Sequence, residues 1–553
     1  MLRLIGSVTV LALLLVACGG GGSGGSGPPS AFTVGGVVSG LVGTGLVLRD
    51  NGGDALTVNA NGAFTFAMKI ASGGAYNVTA TAPQGETCAV TGGAGTATAD
   101  VTSVTVSCNN GVFSVGGSVS GLVGQGLVLE LSGPDIPEEL AIGSNGQFSF
   151  PPTVNSGHRY GVGIKQQPHS PTQRCEVGRS SFVTGGFLSN GSDVTDVGVV
   201  CGEFAYVTST ADNSVSAFSI DANTGTLTSI GAPVLAGQGP YAIANTIYTG
   251  SRSLYVVNGA SNDVSAFLAD ASSGALIPVP GSPFRIGSKP SAATIYAVIN
   301  AGDYSPPPQR LRYYLYVANE GTNDLSAYRL DGVGPTPLSP GAYPTGAGPS
   351  VVAIYPGSLF HPFGGFLYVA NAGGSGDISA FLINGISGGL TPVIGSPFPS
   401  GGNVRSLVFR ADGKFLYAAD ASGGTAAIYG YSVGAGTGAL TSLAGFPLAL
   451  PSCDYIAADQ TGTYLYAAAG GSIFGYTIDR ITGALSPLPE FPVAIGASVT
   501  TLSIDPTNQY LYVGDGGAGT VSGFALNGAT GALTKIPGSP FVAGSSADFI
   551  ATF

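Results

Sequence analysis

Side chains able to perform acid–base or nucleophilic chemistry are sparse in this sequence. Among 553 residues there are 30 Asp and Glu, 18 Lys and Arg, and only 3 His. Three residues of the C-terminal half, Arg405, Asp454 and Asp548, combine a guanidinium with two carboxylates. A carboxylate in such a grouping could activate water, and the cation could stabilise a developing oxyanion. They are candidates only, because an ordinary ion pair between Arg405 and Asp454 would explain two of them equally well.

A sequence repeat places these three residues in one structural series. A strand marker of the form Leu-Tyr-Val recurs seven times after residue 203, at intervals of 46 to 61 residues. Its tyrosines are Tyr206, Tyr255, Tyr316, Tyr368, Tyr417, Tyr466 and Tyr512. Aligning the units places one residue of each where the innermost strand begins, at one end of a common channel. These seven ligand-binding candidates are Tyr241, Ser291, Ser350, Arg405, Asp454, Thr500 and Asp548.

Each repeat unit contains the strands and turns of one small sheet. After the marker come a polar loop, a second strand, a turn such as Thr224-Gly225, and a third strand, and a fourth strand precedes the next marker. Four strands in about 50 residues predict one blade of a β-propeller. The first unit lacks its innermost strand, whereas residues 547–553 have the form of that strand with no marker after it. We therefore predict a seven-bladed propeller over residues 203–553 that the C-terminal strand closes.

A polar residue recurs at the end of the marker strands. The positions are Asn258, Asn319, Asn371, Asp420 and Asp515. A residue that repeats around a ring usually maintains the blade, so we predict that these side chains cap the following loops by local hydrogen bonds. Positions that break the repeat are better candidates for a site. By this test the region of Arg405 and Asp454 and the insertion at residues 300–313 stand out.

Two related segments precede the repeats. Residues 32–41 recur as residues 113–122, and alternating apolar residues follow in both segments. We predict two small antiparallel β-sandwich modules, at residues 31–110 and 111–202, and an all-β chain overall. The modules resemble the immunoglobulin-like modules of bacterial surface proteins, which implies that they act as spacers.

Each module carries two further signals. An Asn-Gly pair before an alternating run predicts a tight hairpin. Two nearby cysteines, without the C-x-x-C spacing of a metal site, predict a disulfide in an oxidising compartment. The pairs are Asn61-Gly62 with Cys88 and Cys108 in the first module, and Asn145-Gly146 with Cys175 and Cys201 in the second.

The N-terminus predicts export. Residues 1–18 form a short apolar stretch after one Arg, as in a secretory signal. The stretch Leu15-Val16-Ala17-Cys18 resembles the lipobox of bacterial lipoproteins, which implies cleavage and lipidation at Cys18 and a membrane anchor. Residues 19–30 then form a Gly/Ser tether, and Gly19 favours the outer membrane of the cell envelope. The alternative is an ordinary secretory signal with an incidental Cys18.

Composition excludes one class of partner. The net charge is −12 and no cluster of Lys and Arg is present, so the chain lacks the grouped cations that nucleic acid requires. No motif predicts a metal ion or another cofactor.

The repeat unit resembles that of a known family. The segments Leu-Tyr-Val-Ala-Asn, Asn-Asp-x-Ser-Ala-Phe, Thr-Gly-Ala-Leu-Thr and Gly-Ser-Pro-Phe are similar to those of lactonase-type seven-bladed propellers over residues 204–553. That family includes bacterial 6-phosphogluconolactonases of the propeller kind and fungal muconate-lactonising enzymes. The resemblance implies the propeller fold and, more weakly, hydrolysis of a lactone ring.

Three departures weaken the implied activity. His361, the single histidine of the propeller, lies in a loop, and no aligned channel position carries a His or a Glu. Arg405 is the only cation in the aligned ring, whereas a phosphorylated substrate would need several. The chain is also predicted to be exported, away from phosphorylated sugars of the cytoplasm. We therefore carry over no catalytic residue from the family.

Three hypotheses follow for the function. The first is a lipid-anchored envelope protein whose propeller binds a surface ligand, either a protein, a glycan or a cell-wall component, without catalysis. The second is a secreted lactone hydrolase that uses Arg405 and Asp454. The third is a structural component of the envelope.

Overall fold

The computed structural model describes residues 30–83, 86–110, 112–133, 136–152, 154–155, 160–177, 193–248, 251–270, 272–299, 311–330, 334–355, 365–374, 376–496 and 498–553. The regular secondary structure of these residues consists of β-strands, which confirms the predicted all-β fold class. No helix long and apolar enough to cross a membrane occurs among them. The predicted signal with Cys18, nearly all of the tether, His361 and residues 300–310 of the insertion lie outside the described residues.

The chain divides into two compact units, with the division between residues 111 and 112. The first unit contains a β-sandwich, since apolar residues from both of its four-stranded sheets, such as Val34, Leu48 and Val106, form one buried cluster. One sheet has the order Gly62–Thr65, Val34–Ser39, Val101–Asn110, Glu86–Thr91; the other has Asp54–Val58, Leu46–Asp50, Ala75–Thr81, Ala94–Thr96; and Ala31–Phe32 pairs with Ile70–Ala71.

The second unit begins with a similar sandwich, whose core includes Val115, Leu129 and Val199. One sheet has the order Gly146–Ser149, Val115–Ser120, Val194–Cys201, Cys175–Val177; the other has Ile136–Ile142, Leu127–Gly133, Gly161–Gln166; and Val112–Phe113 pairs with Val154–Asn155. We refer to the sandwiches as module 1 and module 2.

The prediction that both modules are wholly antiparallel is wrong. In each module the first long strand runs parallel to the last one. These parallel pairs are Val34–Ser39 with Val101–Asn110, and Val115–Ser120 with Val194–Cys201. The strands approach so closely that a Cβ atom on Gly36 would lie 1.7 Å from the carbonyl oxygen of Val104. This contact explains why the glycine pair recurs in both modules, although a parallel pairing between distant segments leaves no local pattern.

The predicted hairpins at the Asn-Gly pairs are also wrong. The strands on either side of the first pair, Asp54–Val58 and Gly62–Thr65, belong to different sheets. Asn61 instead accepts a hydrogen bond from the N–H of Leu41 at 2.8 Å and donates one to its carbonyl at 2.8 Å. Asn145 makes the same two bonds in module 2. The asparagine therefore ties the crossover between sheets to a distant loop.

Both predicted disulfides form. Cys88 is bonded to Cys108 and Cys175 to Cys201, in each case between directly opposed residues of adjacent antiparallel strands. Cys453 is free and fully buried, and burial raises the pKa of its thiol to about 12. Each disulfide therefore joins two strands of the same module.

Seven antiparallel sheets follow module 2, and each is one blade. From blade 1 to blade 7 the innermost strands are Phe549–Thr552, Pro240–Tyr248, Pro290–Ile299, Pro349–Ile354, Val404–Phe409, Tyr455–Ala458 and Val499–Ile504. The second strands are Glu203–Ser209, Ser251–Asn258, Leu311–Asn319, Gly365–Asn371, Phe415–Asp420, Tyr464–Ala469 and Tyr510–Asp515. The third strands are Ser214–Ile220, Asp263–Ala269, Asp324–Leu330, Asp377–Ile383, Ala427–Val433, Ser472–Ile478 and Thr520–Leu526.

The outer edge strand has three residues in six blades, whereas that of blade 3 has ten. These strands are Leu227–Ser229, Leu276–Pro278, Pro335–Pro344, Leu390–Pro392, Leu440–Ser442, Leu485–Pro487 and Leu533–Lys535. Two-residue strands also pair with the third strand in six blades, at Val234–Leu235, Phe284–Arg285, Phe398–Pro399, Leu448–Ala449, Val493–Ala494 and Phe541–Val542.

The predicted closure by the C-terminal strand is confirmed. Phe549–Thr552 pairs with Glu203–Ser209, so blade 1 takes its innermost strand from the end of the chain. Innermost strands of successive blades contact one another around the whole ring, and Phe549–Thr552 contacts those of blades 7 and 2. Every blade thus buries both faces against neighbours.

The marker tyrosines connect each blade to the next. Their side chains are almost wholly buried, and in six blades the phenol donates a hydrogen bond of 2.7 or 2.8 Å to a turn carbonyl of the following blade. The pairs are Tyr206 with Gly274, Tyr316 with Gly388, Tyr368 with Gly438, Tyr417 with Gly483, Tyr466 with Gly531, and Tyr512 with Gly225. The last pair spans the closure between blades 7 and 1.

Module 2 contacts the propeller at strand ends. The Nε atom of the buried Arg252 lies 3.3 Å from the carboxylate of Glu176. On blade 7, Gln509 donates a hydrogen bond of 2.9 Å to the carbonyl of Thr172. Module 2 therefore lies against one end of the ring.

The site candidates lie at the other end, as blade 2 shows. Arg252 is paired with Ile247, whereas Pro240, next to Tyr241, is paired with Asn258 at the far end of the same two strands. Strands rise about 3.3 Å per residue, so Tyr241 lies about 20 Å from the end that module 2 contacts.

Candidate functional site

The seven aligned candidates occupy one structural position, which a β-bulge marks in five blades. The register of the innermost strand shifts around the bulged residue, and bulges redirect side chains next to binding sites. The bulged residues are Tyr241, Ser291, Ser350, Arg405 and Thr500. Asp454 and Asp548 immediately precede the innermost strands of blades 6 and 1, where their N–H groups bond the neighbouring strand. The sequence alignment therefore places equivalent residues together.

Three of the candidates connect blades. The hydroxyl of Ser291 donates a hydrogen bond of 2.5 Å to the carbonyl of Pro349, at the beginning of the next innermost strand. Ser350 donates one of 2.6 Å to Val404, and Thr500 donates to the carbonyl before the innermost strand of blade 1. These hydroxyls have a structural role that the repeat itself explains.

The two aspartates are also engaged. The carboxylate of Asp548 accepts hydrogen bonds from the N–H of Thr210 at 2.7 Å and the hydroxyl of Ser546 at 2.6 Å. Asp454 accepts one of 3.1 Å from the hydroxyl of Ser452. These bonds hold the strand beginnings of blades 1 and 6, so neither carboxylate is free of local partners.

Arg405 and Tyr241 depart from this structural role. Arg405 is exposed, and no ion pair between it and Asp454 occurs among the described residues. The alternative explanation by an ordinary ion pair is therefore wrong. Tyr241 is 42% exposed, and its hydroxyl lies 3.3 Å from that of Tyr455. Because these tyrosines belong to blades 2 and 6, the contact crosses the channel.

A cavity of about 730 Å³ opens at this end of the ring, a volume typical of small-ligand sites. Four of the seven candidates, Tyr241, Ser291, Ser350 and Arg405, line it. Asp454, Thr500 and Asp548 are not among its lining residues. The structure thus brings together the candidates of blades 2 to 5 and leaves out those of blades 6, 7 and 1.

Aromatic side chains bound the cavity on the remaining side. Tyr455 and Phe549 line it together with Tyr241, and we call these three residues the aromatic wall. Tyr455 and Phe549 follow the two aspartates, at a position where the other blades carry Ala, Val, Ser or Thr. Sequence reasoning missed both, although large residues that interrupt a series of small ones were a readable signal. Burial raises the pKa of the Tyr455 phenol, and the nearby charge of Arg405 opposes that shift.

Two charged residues of the cavity were also missed. Lys289 precedes the innermost strand of blade 3, and Glu320 follows the second strand. Their side chains form an ion pair at the rim. The statements that Arg405 is the only cation and that no Glu stands at the channel are therefore wrong for the cavity. They were based on one aligned position, whereas these residues come from loops beside it.

Few charged side chains line the cavity. Among the described lining residues the carboxylate of Glu320 is paired with Lys289, which leaves the guanidinium of Arg405 as the unpaired charge. Water activation requires a carboxylate or imidazole with an available lone pair beside the reacting carbon. The described cavity supplies a cation, hydroxyls and aromatic rings, but no unpaired base.

The predicted caps at the ends of the marker strands are confirmed. The amide of Asn319 donates hydrogen bonds to Asp324 at 2.7 Å and Ser326 at 2.8 Å. Asn258 and Asn371 make equivalent bonds in blades 2 and 4. Asp420 and Asp515 accept bonds from the loops that follow them. These side chains stabilise the loops around the cavity.

Comparison with known proteins agrees with this fold. The model of the family described as lactonase, 7-bladed beta-propeller matches residues 184–288 and 421–539. No curated protein matches the chain. A solved candidate 6-phosphogluconolactonase from Bacteroides fragilis is 20% identical, with a TM-score of 0.51, and the alignment covers 64% of this chain and 98% of that one. A second, from Bacteroides uniformis, is 16% identical with a TM-score of 0.50, over 64% and 99% of the two chains.

Proposed function

We propose that this propeller, which matches the lactonase-type family model over residues 184–288 and 421–539, binds a small ligand or the end of a glycan in its channel-mouth cavity without catalysis. The observation that carries the proposal is the composition of the cavity. Aromatic rings and hydroxyls can hold a polar ring, while the described lining residues offer no unpaired base.

Display at the cell surface is the second part of the proposal. The predicted signal, Cys18 and the Gly/Ser tether would anchor the chain to a membrane of the envelope, the outer membrane by the identity of Gly19. The disulfide in each module is consistent with an oxidising compartment. Module 2 lies against the end of the ring opposite the cavity, so the chain enters the propeller on the side away from the ligand.

The alternative is hydrolysis of a lactone. The family match favours it, and Arg405 could stabilise the oxyanion of ring opening. Asp454, which is outside the described lining, would then have to reach the cavity as the base. This rearrangement is an additional requirement that binding does not have.

A paired measurement separates the two functions. The chain without residues 1–18 is incubated with a panel of lactones and, in parallel, applied to an array of bacterial glycans. We expect glycan binding that Tyr455→Ala removes, and no lactone turnover above the background rate. Turnover that Arg405→Ala abolishes would establish the alternative. If the chain shows no binding and no turnover, the result favours a purely structural envelope component.

Anchoring has its own test. Cells that express the complete chain are labelled with a radioactive fatty acid, and the protein is recovered from separated membranes. We expect label in the wild type and none in Cys18→Ala. Unlabelled wild-type protein in the soluble fraction would show that the segment is an ordinary secretory signal.

A further inference from the structure

Arg405 occupies a position at which other blades carry a hydroxyl that bonds the next blade. In blades 3, 4 and 7 the equivalent Ser or Thr hydroxyl bonds the carbonyl at the beginning of the next innermost strand. Blade 5 carries Arg405 at this position, and the hydroxyl of the adjacent Ser406 donates a hydrogen bond of 3.2 Å to the carbonyl of Ile456 in blade 6. The guanidinium of Arg405 is therefore not needed to connect these blades, and at an exposed position in the cavity lining it is available to a ligand.

Three charged side chains line the described cavity, and two of them, Lys289 and Glu320, form an ion pair. The carboxylates of Asp454 and Asp548 are not lining groups: Asp454 accepts a hydrogen bond from Ser452, and Asp548 accepts bonds from Thr210 and Ser546. Arg405 is therefore the uncompensated ion among the described lining residues. A guanidinium presents paired N–H donors that match a carboxylate. A doubly charged phosphate would require additional cations here.

The aromatic wall lies in the same cavity as Arg405. The rings of Tyr241, Tyr455 and Phe549 supply an apolar surface, and the two phenol hydroxyls lie 3.3 Å from each other. The cavity volume accommodates a single hexose-sized ring with its substituents. Arg405 and the three rings of the wall all line this one cavity.

From these observations we infer that the cavity recognises an acidic sugar, with Arg405 binding the carboxylate and the aromatic wall contacting the sugar ring. The inference is based on the proposed binding function and specifies its ligand class. Discrimination between an acidic and a neutral sugar comes from Arg405, because the rest of the described lining carries no uncompensated charge. Affinity for either sugar comes from the wall.

The test compares two sugars that differ in the carboxylate alone, methyl glucuronide and methyl glucoside, by calorimetric titration of the chain without residues 1–18. We expect the glucuronide to bind about tenfold or more tightly, the order that charge-assisted hydrogen bonds supply. Arg405→Gln should reduce the affinity for the glucuronide to that for the glucoside. Arg405→Lys should retain part of the preference for the glucuronide, and Tyr455→Ala should weaken the binding of both sugars.

The matched control is Arg480→Gln, which removes an exposed guanidinium from an outer turn of blade 6 and should leave both affinities unchanged. Equal affinity of the wild type for the two sugars would refute the acidic-sugar inference while the proposed binding function stands. No binding of either sugar, together with binding of a peptide through its C-terminal carboxylate, would refute the sugar assignment and keep Arg405 as an anion site. No binding of any probe would refute both proposals.

Discussion

The phenol hydroxyl of the marker tyrosine explains why Tyr, and no other aromatic residue, recurs in the six blades where it bonds a turn carbonyl of the next blade. Phe would fill the same buried volume, but it could not bond the turn carbonyl of the next blade. The acceptor glycines have positive φ angles, for example +72° at Gly483, where a Cβ would also lie 2.7 Å from the ring of Phe415. Tyrosine and glycine therefore recur as one unit of two residues from adjacent blades.

At the scale of one residue, Tyr417→Phe should lower the free energy of unfolding by about 1–2 kcal/mol, because the carbonyl of Gly483 loses its donor at 2.8 Å in a buried position. Denaturant titration followed by fluorescence measures the change. Tyr429→Phe is the matched control on the third strand of the same blade, where the hydroxyl is partly exposed, and should change stability by less than about 0.5 kcal/mol. Equal losses in the two variants would contradict the role of the interblade bond.

At the scale of elements, a pair of buried carboxyls marks the junction of module 2 and blade 1. Glu203 begins the second strand of blade 1 and faces Asp505 of blade 7, and both side chains are at least nine-tenths buried. Burial first, and then the charge and hydrogen bond of Asp505, raise the pKa of Glu203 to about 8. Arg252 lies close enough to oppose this shift.

The sign of the pH effect follows from this elevation. A carboxyl whose pKa is higher in the folded state than in the unfolded state contributes most to the free energy of unfolding while it is protonated. This contribution is lost as the pH rises from the unfolded-state pKa, near 4.5, through the folded-state pKa of about 8. Wild-type stability should therefore fall by on the order of 2–4 kcal/mol over this range from this group. Thermal unfolding between pH 5 and 9 measures it, and Glu203→Gln should flatten the profile.

Glu490→Gln provides the control for this experiment. Its side chain is exposed in an outer turn of blade 6, so the profile should follow that of the wild type. A profile of Glu203→Gln that matches both of the others would show that the carboxyl pair does not control the junction.

At the scale of the whole molecule, closure depends on seven residues at the end of the chain. The C-terminal strand supplies the innermost strand of blade 1, and Ser546 connects it to Ser209 and Asp548. Removal of residues 547–553 should expose two blade faces and an unpaired strand edge, so we expect an aggregated or unfolded propeller. Size-exclusion chromatography and circular dichroism report the outcome. A monomeric truncated chain that unfolds at the wild-type temperature would show that the ring does not require this strand.

The sequence by itself determined the architecture, because each blade repeats residues whose roles are local or involve the nearest blade. The marker tyrosines, the Thr-Gly turns and the unmatched last strand were enough to predict seven blades and their closure. The same alignment located the bulged positions from Tyr241 to Asp548. The marker-strand pattern is weak in any one blade, but its recurrence in seven blades made it recognisable.

The tertiary structure alone decided which aligned residues form the cavity and what they are free to do. Ser350 and Asp548 look like ligand groups in sequence, but they are bonded to partners about 50 and 340 residues away. Lys289 and Glu320 meet across loops, and Tyr241 meets Tyr455 across the channel. Contacts between distant segments arise when the ring closes, and no pattern in neighbouring residues records them. The same reason concealed the parallel strands of both modules, whose partners lie at opposite ends of each module.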